Sequence, residues 1–361
     1  MHSIRYMVDA TIQIMDDTLR EGMQTPHVMF TKEEKLMIAK RMFDAGVRRF
    51  MVSYPSSHVS EQQVTSEILR NLGKATVFAL GRAIKQDIDI IASTGSNIAI
   101  HLPFTGRYEE ALESCRYAKD RYAERQLSVA LVDVGSYSLD NLVKMAKDFE
   151  KNGADVLELP DTTGILNPKR CYEIIKRVRK EVSCIITAHC HNDGGLAVAN
   201  SLAAFEAGAD VIDCTALGLG ERNGIADIAI VSNAIESSGI DLGINIEKLK
   251  DVYTFLNEIL YKKTGINFIS PNYPLFGEFV SIHTAGTHAD SQEKFRADRF
   301  SVNVYCGKAL IRKILESKGI MLDDATVAKI TSRVKDECAD TGKALGYDRV
   351  EIIAKEVMKF G

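Results

Sequence analysis

The run TAHCHNDGG (187–195) sets His189 and His191 two residues apart behind β-prone residues, so on a strand both imidazoles project from one face. A second polar cluster lies in MDDTLREGMQ (15–24), where Asp16, Asp17, Arg20, Glu21 and Gln24 follow the apolar-alternating run TIQIMD. Two imidazoles and a carboxylate, with coordination positions left open, make a common catalytic metal set. Each stretch alone also has a plainer reading: two polar residues closing an ordinary strand, and a loop that caps a helix. Asn192 or Asp193 can cap the helix expected next, and Asp193 reads as a cap or a support behind the ligands rather than as a ligand. The fold decides, by bringing the two stretches together or keeping them apart.

Four stretches share one grammar: AGVRRFMV (45–52), TGSNIAIH (94–101), NGADVLEL (152–159) and AGADVIDC (207–214). In each, a small residue and a glycine follow an amphipathic, charge-rich segment and precede a β-rich run, the pattern of helix, glycine stop and buried strand. Further strands are expected in TIQIMD (11–16), ATVFAL (75–80), LSVALVDV (127–134) and CIITAH (184–189). Helical segments fall near 32–44, 58–71, 85–94, 106–125, 138–152, 167–181, 193–207 and 226–238. Eight β-then-α units predict an α/β fold, a TIM (β/α)8 barrel, over residues 1–240. A doubly wound open sheet is the competitor, and no G-x-G-x-x-G opens the first helix. After residue 240 the alternation stops. INIEKLKDVYTFLNEILYKKTG reads as a helix, and three more helical segments follow near 307–318, 323–341 and 348–359. Residues 241–361 are thus expected to form a C-terminal helical subdomain that covers the barrel mouth, with no evident core of its own and a need for a neighbour.

In a barrel of this kind the active site sits at the C-terminal strand ends. The first and seventh strands would be separated there by the eighth alone, so a carboxylate from one and two imidazoles from the other could meet at one ion. Composition leaves room for this chemistry and closes off others. With 45% hydrophobic and 26% charged residues, the chain is an ordinary globular one. A net charge of −4 without a basic, aromatic-interleaved run argues against nucleic acid as a partner. No segment approaches the length of a membrane span, and MHSIRYMVDATIQ lacks an apolar leader region. Seven scattered cysteines without a CxxC pair suit the reduced thiols of a cytoplasm.

Four motifs, in order, make the pattern specific: D-x-T-L-R-E-G-x-Q (16–24), H-x-H-N-D-x-G (189–195), G-L-G-E-R-N-G (218–224) and H-T-A-G-T-H-A-D (283–290). Over residues 11–310 the chain resembles the isopropylmalate/homocitrate synthase family of the DRE-TIM metallolyases. The resemblance implies a divalent metal ion (Mg, Mn, Zn or Co), acetyl-CoA or another acyl-CoA as co-substrate, a 2-oxo acid as acceptor, and a homodimer. It implies metal ligation by Glu21, His189 and His191, with glutamate at 21 and Ile225 after the G-E-R-x-G loop as in homocitrate synthases. Arg20 matches an arginine that stabilises the developing oxyanion. His288 matches a histidine of the machinery that deprotonates the acetyl methyl group. His101 and Thr162 match contacts to the oxo acid, and Gln24 is expected to line the same pocket. Glu221 and Arg222 either order the loop after the eighth strand or simply pair with each other.

Three positions depart from that pattern. Met51 stands where a second-strand glutamate usually pairs with the arginine. Val132 and Ser136 stand where a glutamate and a carboxylate-gripping arginine follow the fifth strand. The tail tyrosine has no clear counterpart; Phe300 fills the nearest slot and Tyr305 is an alternative. Losing a bidentate carboxylate anchor is not a conservative change, so an unusual or smaller oxo acid is expected rather than 2-oxoglutarate. The same departures keep open a carbon–carbon lyase or aldolase on the same metal site, and a barrel that has lost its chemistry. The long C-terminal regulatory domain of leucine-controlled relatives has no counterpart in this sequence, so feedback through one is not expected.

Overall fold

A computed structural model describes residues 12–102, 107–283 and 299–360. Its eight principal strands are β1 Gln13–Asp16, β2 Arg49–Met51, β3 Thr76–Arg82, β4 Asn97–His101, β5 Leu127–Ala130, β6 Val156–Asp161, β7 Ile185–Cys190 and β8 Val211–Cys214. They pair in parallel in chain order, and β1 closes on β8 with Gln13 beside Val211 and Asp16 beside Cys214. The sheet is therefore a closed barrel, and the open-sheet alternative falls.

Eight helices alternate with the strands: α1 Lys32–Asp44, α2 Val59–Asn71, α3 Lys85–Ser93, α4 Tyr108–Arg121, α5 Leu139–Lys151, α6 Pro168–Arg179, α7 Ala197–Ala207 and α8 Ile228–Glu236. Local sequence starts and stops them. Thr31 and Glu34 form a reciprocal capping box at α1, which satisfies two backbone donors that the first turn leaves unpaired. Asn167 caps α6 ahead of Pro168, whose missing N–H costs nothing at the first helical position. At the end of α7, Gly208 takes φ 103°, the left-handed conformation the repeated glycine stop supplies.

Inside the barrel, Met15, Met51, Phe78, Ala99, Val156 and Val211 from six strands pack into one apolar layer. Side chains alternate along a strand. Two residues beyond Val156 and Val211 on the same inward face therefore stand Glu158 and Asp213, above the apolar layer.

Helix α9, Ile246–Thr264, belongs with the barrel. Asn245 N–H donates to the Ala45 carbonyl at 2.7 Å, and the fully buried Tyr253 hydroxyl meets the Asp227 carboxylate at 3.1 Å while accepting the Ala229 N–H at 3.0 Å. The first compact unit consequently runs to Phe268, not to the expected boundary at residue 240.

The second unit, from Ile269, holds a short parallel pair, β9 Ile282–His283 and β10 Arg299–Phe300, and helices α10 Lys308–Ser317, α11 Asp324–Thr341 and α12 Tyr347–Phe360. Contrary to expectation it has a core of its own. Leu310, Ile311 and Ile314 of α10, Ile330 and Val334 of α11, and Ile353 of α12 are buried together. Amphipathic helices with apolar residues at three- and four-residue spacing bury one stripe each, and three such stripes close here. No helix among the described residues is long and apolar enough to cross a membrane.

Candidate active site

The segment leaving β1 turns at once into a short 3-10 helix, Glu21–Gln24, held by backbone bonds from Arg20 and Glu21 to the Asp17 carbonyl. Thr18 pins it across the rim: its hydroxyl oxygen accepts the Ala216 N–H at 2.8 Å. Thr25 accepts the Gly220 N–H at 2.9 Å. The loop after β8 is thus tied to the segment after β1 before any functional group is placed.

That loop needs its glycine. At Gly220 φ is 155°, and a Cβ would lie 2.9 Å from a Glu21 carboxylate oxygen and 3.0 Å from the Gly224 backbone. The next residue, Glu221, donates its N–H to the same Glu21 oxygen at 2.9 Å. Glu21, 2% exposed, is therefore fixed by a backbone donor on one oxygen and by Arg20 at 2.6 Å on the other. Burial alone would raise its carboxyl, but the Arg20 charge and the Glu221 amide outweigh burial and hold it below the ordinary value.

The two histidines leave β7 as the sequence requires. The His189 Nδ1–H donates to Asp213 at 2.7 Å, which leaves Nε2 with its lone pair outward. The His191 Nε2 lies 3.3 Å from it, while His191 Nδ1 is buried with no hydrogen-bond partner among the described residues. Burial lowers the His189 imidazole, and burial with the neighbouring His189 lowers His191 to about 4. Both are thereby neutral ligands near pH 7. Donor atoms of Glu21, His189 and His191 all lie within 4.8 Å of one another. Two imidazole nitrogens facing each other beside a carboxylate oxygen is the donor chemistry a divalent cation takes, and the carboxylate behind His189 orients that ring as metal-site histidines are commonly oriented. Asp17, His189 and Asp213 also cluster, but their groups are engaged with Arg20 and with each other.

Arg20 lacks a partner at Met51, as expected, because Met51 is packed in the apolar interior. The carboxylates of Asp17 and Glu21 take its terminal nitrogens instead, and they hold the guanidinium charged against burial. Its Nε is buried without a partner among the described residues, and Gln24 sits 3.3 Å from Nη1.

These groups line one cavity of about 590 Å³, together with His101, Thr162 and Glu221. Thr162 follows β6 and accepts the Asp133 N–H at 2.9 Å; His101 closes β4 and meets the Tyr54 hydroxyl at 3.2 Å. The remaining wall is largely apolar, with Met23, Leu80, Ala130, Val132 and Pro160. Arg222 takes on more than its neighbour. It binds Asp193 at 2.7 Å and the Thr162 carbonyl at 2.7 Å, besides Glu221 at 3.2 Å, so it joins the loops after β6, β7 and β8.

Some expectations need correcting. Asp193 does not cap α7, because Arg222 holds its carboxylate. Asn192 accepts the Ala197 N–H at 3.1 Å, and the helix begins at 197 rather than 193. Ser136 lies exposed in a turn, its hydroxyl donating to the Asp133 carbonyl. Ile225 is buried and bridges to the His191 backbone. Phe300 is buried in the second unit's own core, and Tyr305 is 75% exposed. His288 lies outside the described residues. Sequence reasoning passed over Tyr54, Glu158 and Asp213. The last two share the inward face of their strands with Val156 and Val211, a placement that the strand register decides.

The family model described as HMGL-like matches residues 11–256, more than half of the chain. The chain is 35% identical to the 2-isopropylmalate synthase of Methanocaldococcus jannaschii over 77% of its own length and 55% of that protein's. It thus spans little more than half of that relative. It is 32% identical to the probable 2-isopropylmalate synthase of Methanopyrus kandleri (96% of this chain, 74% of that one) and 33% identical to the homocitrate synthase of Sulfurisphaera tokodaii (90% and 76%). Among solved structures, the HMG-CoA lyase of Bacillus subtilis aligns with a TM-score of 0.64 at 20% identity, covering 74% of this chain and 98% of that one. At that identity the likeness speaks to the barrel alone.

Proposed function

Because the chain belongs to the HMGL-like family, we propose that it is a metal-dependent condensing enzyme that joins the acetyl group of acetyl-CoA, or another acyl-CoA, to a 2-oxo acid. The product is a 2-hydroxy di- or tricarboxylic acid. One observation carries the reading: donor atoms of Glu21, His189 and His191 lie within 4.8 Å of one another in the wall of a cavity that Arg20 also lines. Curated relatives named as 2-isopropylmalate and homocitrate synthases support it. A divalent ion (Mg, Mn, Zn or Co) held by these three residues would supply Lewis-acid polarisation of the 2-oxo carbonyl.

In this reading the protein's own groups have separate tasks. The charged Arg20 guanidinium, held by Asp17 and Glu21 at the cavity wall, stabilises the negative charge that develops on the acceptor oxygen. Thr162, His101 and Gln24 bind and orient the oxo acid. Glu221 and Arg222 keep the loop after β8 against Glu21, which fixes that carboxylate. His288, assigned by the resemblance, takes part in deprotonating the acyl methyl group.

Of the two product classes the cavity favours the dicarboxylic one, formed from a 2-oxo acid without a second carboxylate. Among the described residues that line the cavity, Arg20 is the one arginine or lysine and two carboxylates already occupy it. Val132, Ala130 and Leu80 add apolar surface to the same cavity. An unpaired buried carboxylate costs several kcal/mol, about 3–5. The reading extends to a cytoplasmic homodimer, for which seven unpaired cysteines and the family resemblance speak.

The test is release of free CoA from acetyl-CoA by the purified chain, across a panel of 2-oxo acids, with and without a chelator. Chelator-sensitive release is expected with an apolar oxo acid and not with 2-oxoglutarate; Glu21→Ala abolishes it and weakens Co²⁺ binding by at least about 10-fold. No release with any oxo acid overturns the reading, and acetyl-CoA or pyruvate formed from a hydroxy acid instead points to cleavage.

A further inference from the structure

One carboxylate in the cavity wall has nothing on the protein to bind. Glu158, on the inward face of β6, is 5% exposed and lines the cavity with Arg20, Glu21, His189 and His191. Among the described residues no hydrogen bond reaches its side chain; the one basic nitrogen within 4.0 Å, His189 Nδ1, already donates to Asp213. Its neighbours across the sheet are Ala130 on β5 and Thr187 on β7, whose buried hydroxyl makes no hydrogen bond there. We propose that Glu158 selects the acceptor: it takes a hydrogen bond from a hydroxyl group on the side chain of a 2-oxo acid that has no second carboxylate. The proposal rests on the condensing reading above and narrows the acceptor it names.

The position suits that task. Glu158 lies on the Nδ1 side of the His189 ring, and the Nε2 side faces His191. One imidazole therefore separates its carboxylate from the place where the donor atoms of Glu21, His189 and His191 gather, and the side chain of a short oxo acid held there can reach it. The protein offers no substitute for such a ligand. Arg20 has its terminal nitrogens bound by Asp17 and Glu21, and the Asp17 and Asp213 carboxylates feel Glu158 as a further charge of their own sign. A buried polar group without a partner is costly, so one that opens on a cavity leaves its donor to the ligand.

The wall decides which donor fits. A second carboxylate on the acceptor would add repulsion at Glu158 and bring no donor. An ammonium group would bring three N–H donors, but the apolar part of the wall, Leu80, Ala130, Val132 and Pro160, has no side-chain acceptor for those that Glu158 leaves. A hydroxyl brings one donor, and a bond from it to a carboxylate is charge-assisted and stronger than one between neutral groups. An apolar oxo acid also fits the cavity, but it fills the space without supplying the donor.

Matched acids differing in one group test this on the full chain with Co²⁺: 2-oxobutanoate against 4-hydroxy-2-oxobutanoate, and 2-oxopentanoate against 5-hydroxy-2-oxopentanoate and 2-oxoglutarate. Binding is read by calorimetry without acyl-CoA, and kcat/KM by release of CoA. In at least one pair the hydroxy acid is expected to bind and react better by about 10-fold or more, because a site built for a hydroxyl rejects the analogue that lacks it. Binding of 2-oxoglutarate should be the weakest. Glu158→Leu should bring the members of that pair within about 3-fold of each other, with Co²⁺ affinity, read by absorption, within about 3-fold of wild type. Glu158→Gln keeps the shape and one acceptor oxygen; it should reduce the preference by at least about 3-fold and bind 2-oxoglutarate more tightly than wild type does. Wild type without a preference for the hydroxy acid in either pair overturns the proposal, as do variants that keep the full preference. A loss of Co²⁺ affinity of about 10-fold in Glu158→Gln also overturns it, because the carboxylate would then belong to the cation. Preferential binding of a hydroxy acid with no release of CoA from any acid removes the condensing reading and leaves the hydroxyl assignment standing. Neither binding nor release with any acid removes both.

Discussion

Asp16 and Asp17 are adjacent in sequence and have opposite environments. Asp17 faces Arg20 within the site, whereas Asp16 turns outward, where it accepts the Thr18 N–H at 2.9 Å and the Thr18 hydroxyl. Burial without a cation pushes the Asp16 carboxyl up to about 6, only partly offset by Thr18. Its folded value lies above its unfolded one, so between about pH 4 and 6 the folded state binds more protons. The stability it contributes is complete below the unfolded value and is lost as pH rises through about 6. The difference in unfolding free energy between wild type and Asp16→Asn, followed through Tm, should therefore shift against wild type from pH 4 to pH 7, by on the order of 1–3 kcal/mol. A difference in Tm that stays constant over that range would refute this account. The same pair shows what sequence conveys at this scale. Glu21, His189 and His191 were legible because three reactive types stood at strand ends in recognisable spacing. Asp213 and Glu158 were not, because a single acid in a β-run looks the same whether it faces the barrel's interior or its helices, and only the register decides.

Elements turn these residues into a site through the loops. The segment after β1 and the loop after β8 exchange three hydrogen bonds, from Ala216, Gly220 and Glu221. Arg222 carries the connection on to the loops after β6 and β7. The weak point of this clasp is Gly220, where any side chain would push against the Glu21 carboxylate. Gly220→Ala is expected to lower Co²⁺ affinity by at least about 10-fold, since a metal ligand displaced by its support loses affinity on that scale, with Tm changed by only a few degrees. A variant with wild-type Co²⁺ affinity would show that the clasp does not set the position of Glu21. Helix and strand existence was legible throughout the barrel, α1 to its end residues, because Thr31, Glu34 and the apolar period all agree. Boundaries slipped where a loop group had a distant partner. The strand expected over 127–134 ends at Ala130, and a few residues on the chain turns at Asp133, whose φ is 58°. The helix expected from 193 starts at 197, since Asp193 is bound to Arg222, 29 residues further along the chain, a partner that no local pattern signals.

At the scale of the whole molecule, alternation of β and α units makes the barrel legible, but it does not say where the barrel unit ends. Helix α9 has the amphipathic period of any surface helix. Its allegiance is set by Tyr253 reaching Asp227, and by Asn245 binding Ala45, contacts that join residues remote in sequence. The compact unit they complete, ending at Phe268, contains Glu21, His189, His191, Tyr54 and His101. Metal binding should accordingly be a property of this unit. A fragment of residues 1–268 is expected to unfold in a single cooperative transition and to bind Co²⁺ within about 3-fold of the full chain, because a domain with its own core folds alone. A fragment cut at residue 240 removes α9 and uncovers the face of α8 and α1 that buries Leu249, Val252, Tyr253, Leu256 and Leu260. Large apolar side chains contribute about 1.5–3 kcal/mol each when fully buried, and a domain's net stability is only about 5–15 kcal/mol. The shorter fragment should therefore fail to fold, as circular dichroism and tryptic digestion would report. Equal stability of the two fragments would place the boundary back at 240 and make α9 an accessory. A 1–268 fragment that folds but no longer binds Co²⁺ would mean that the cation site draws on the second unit.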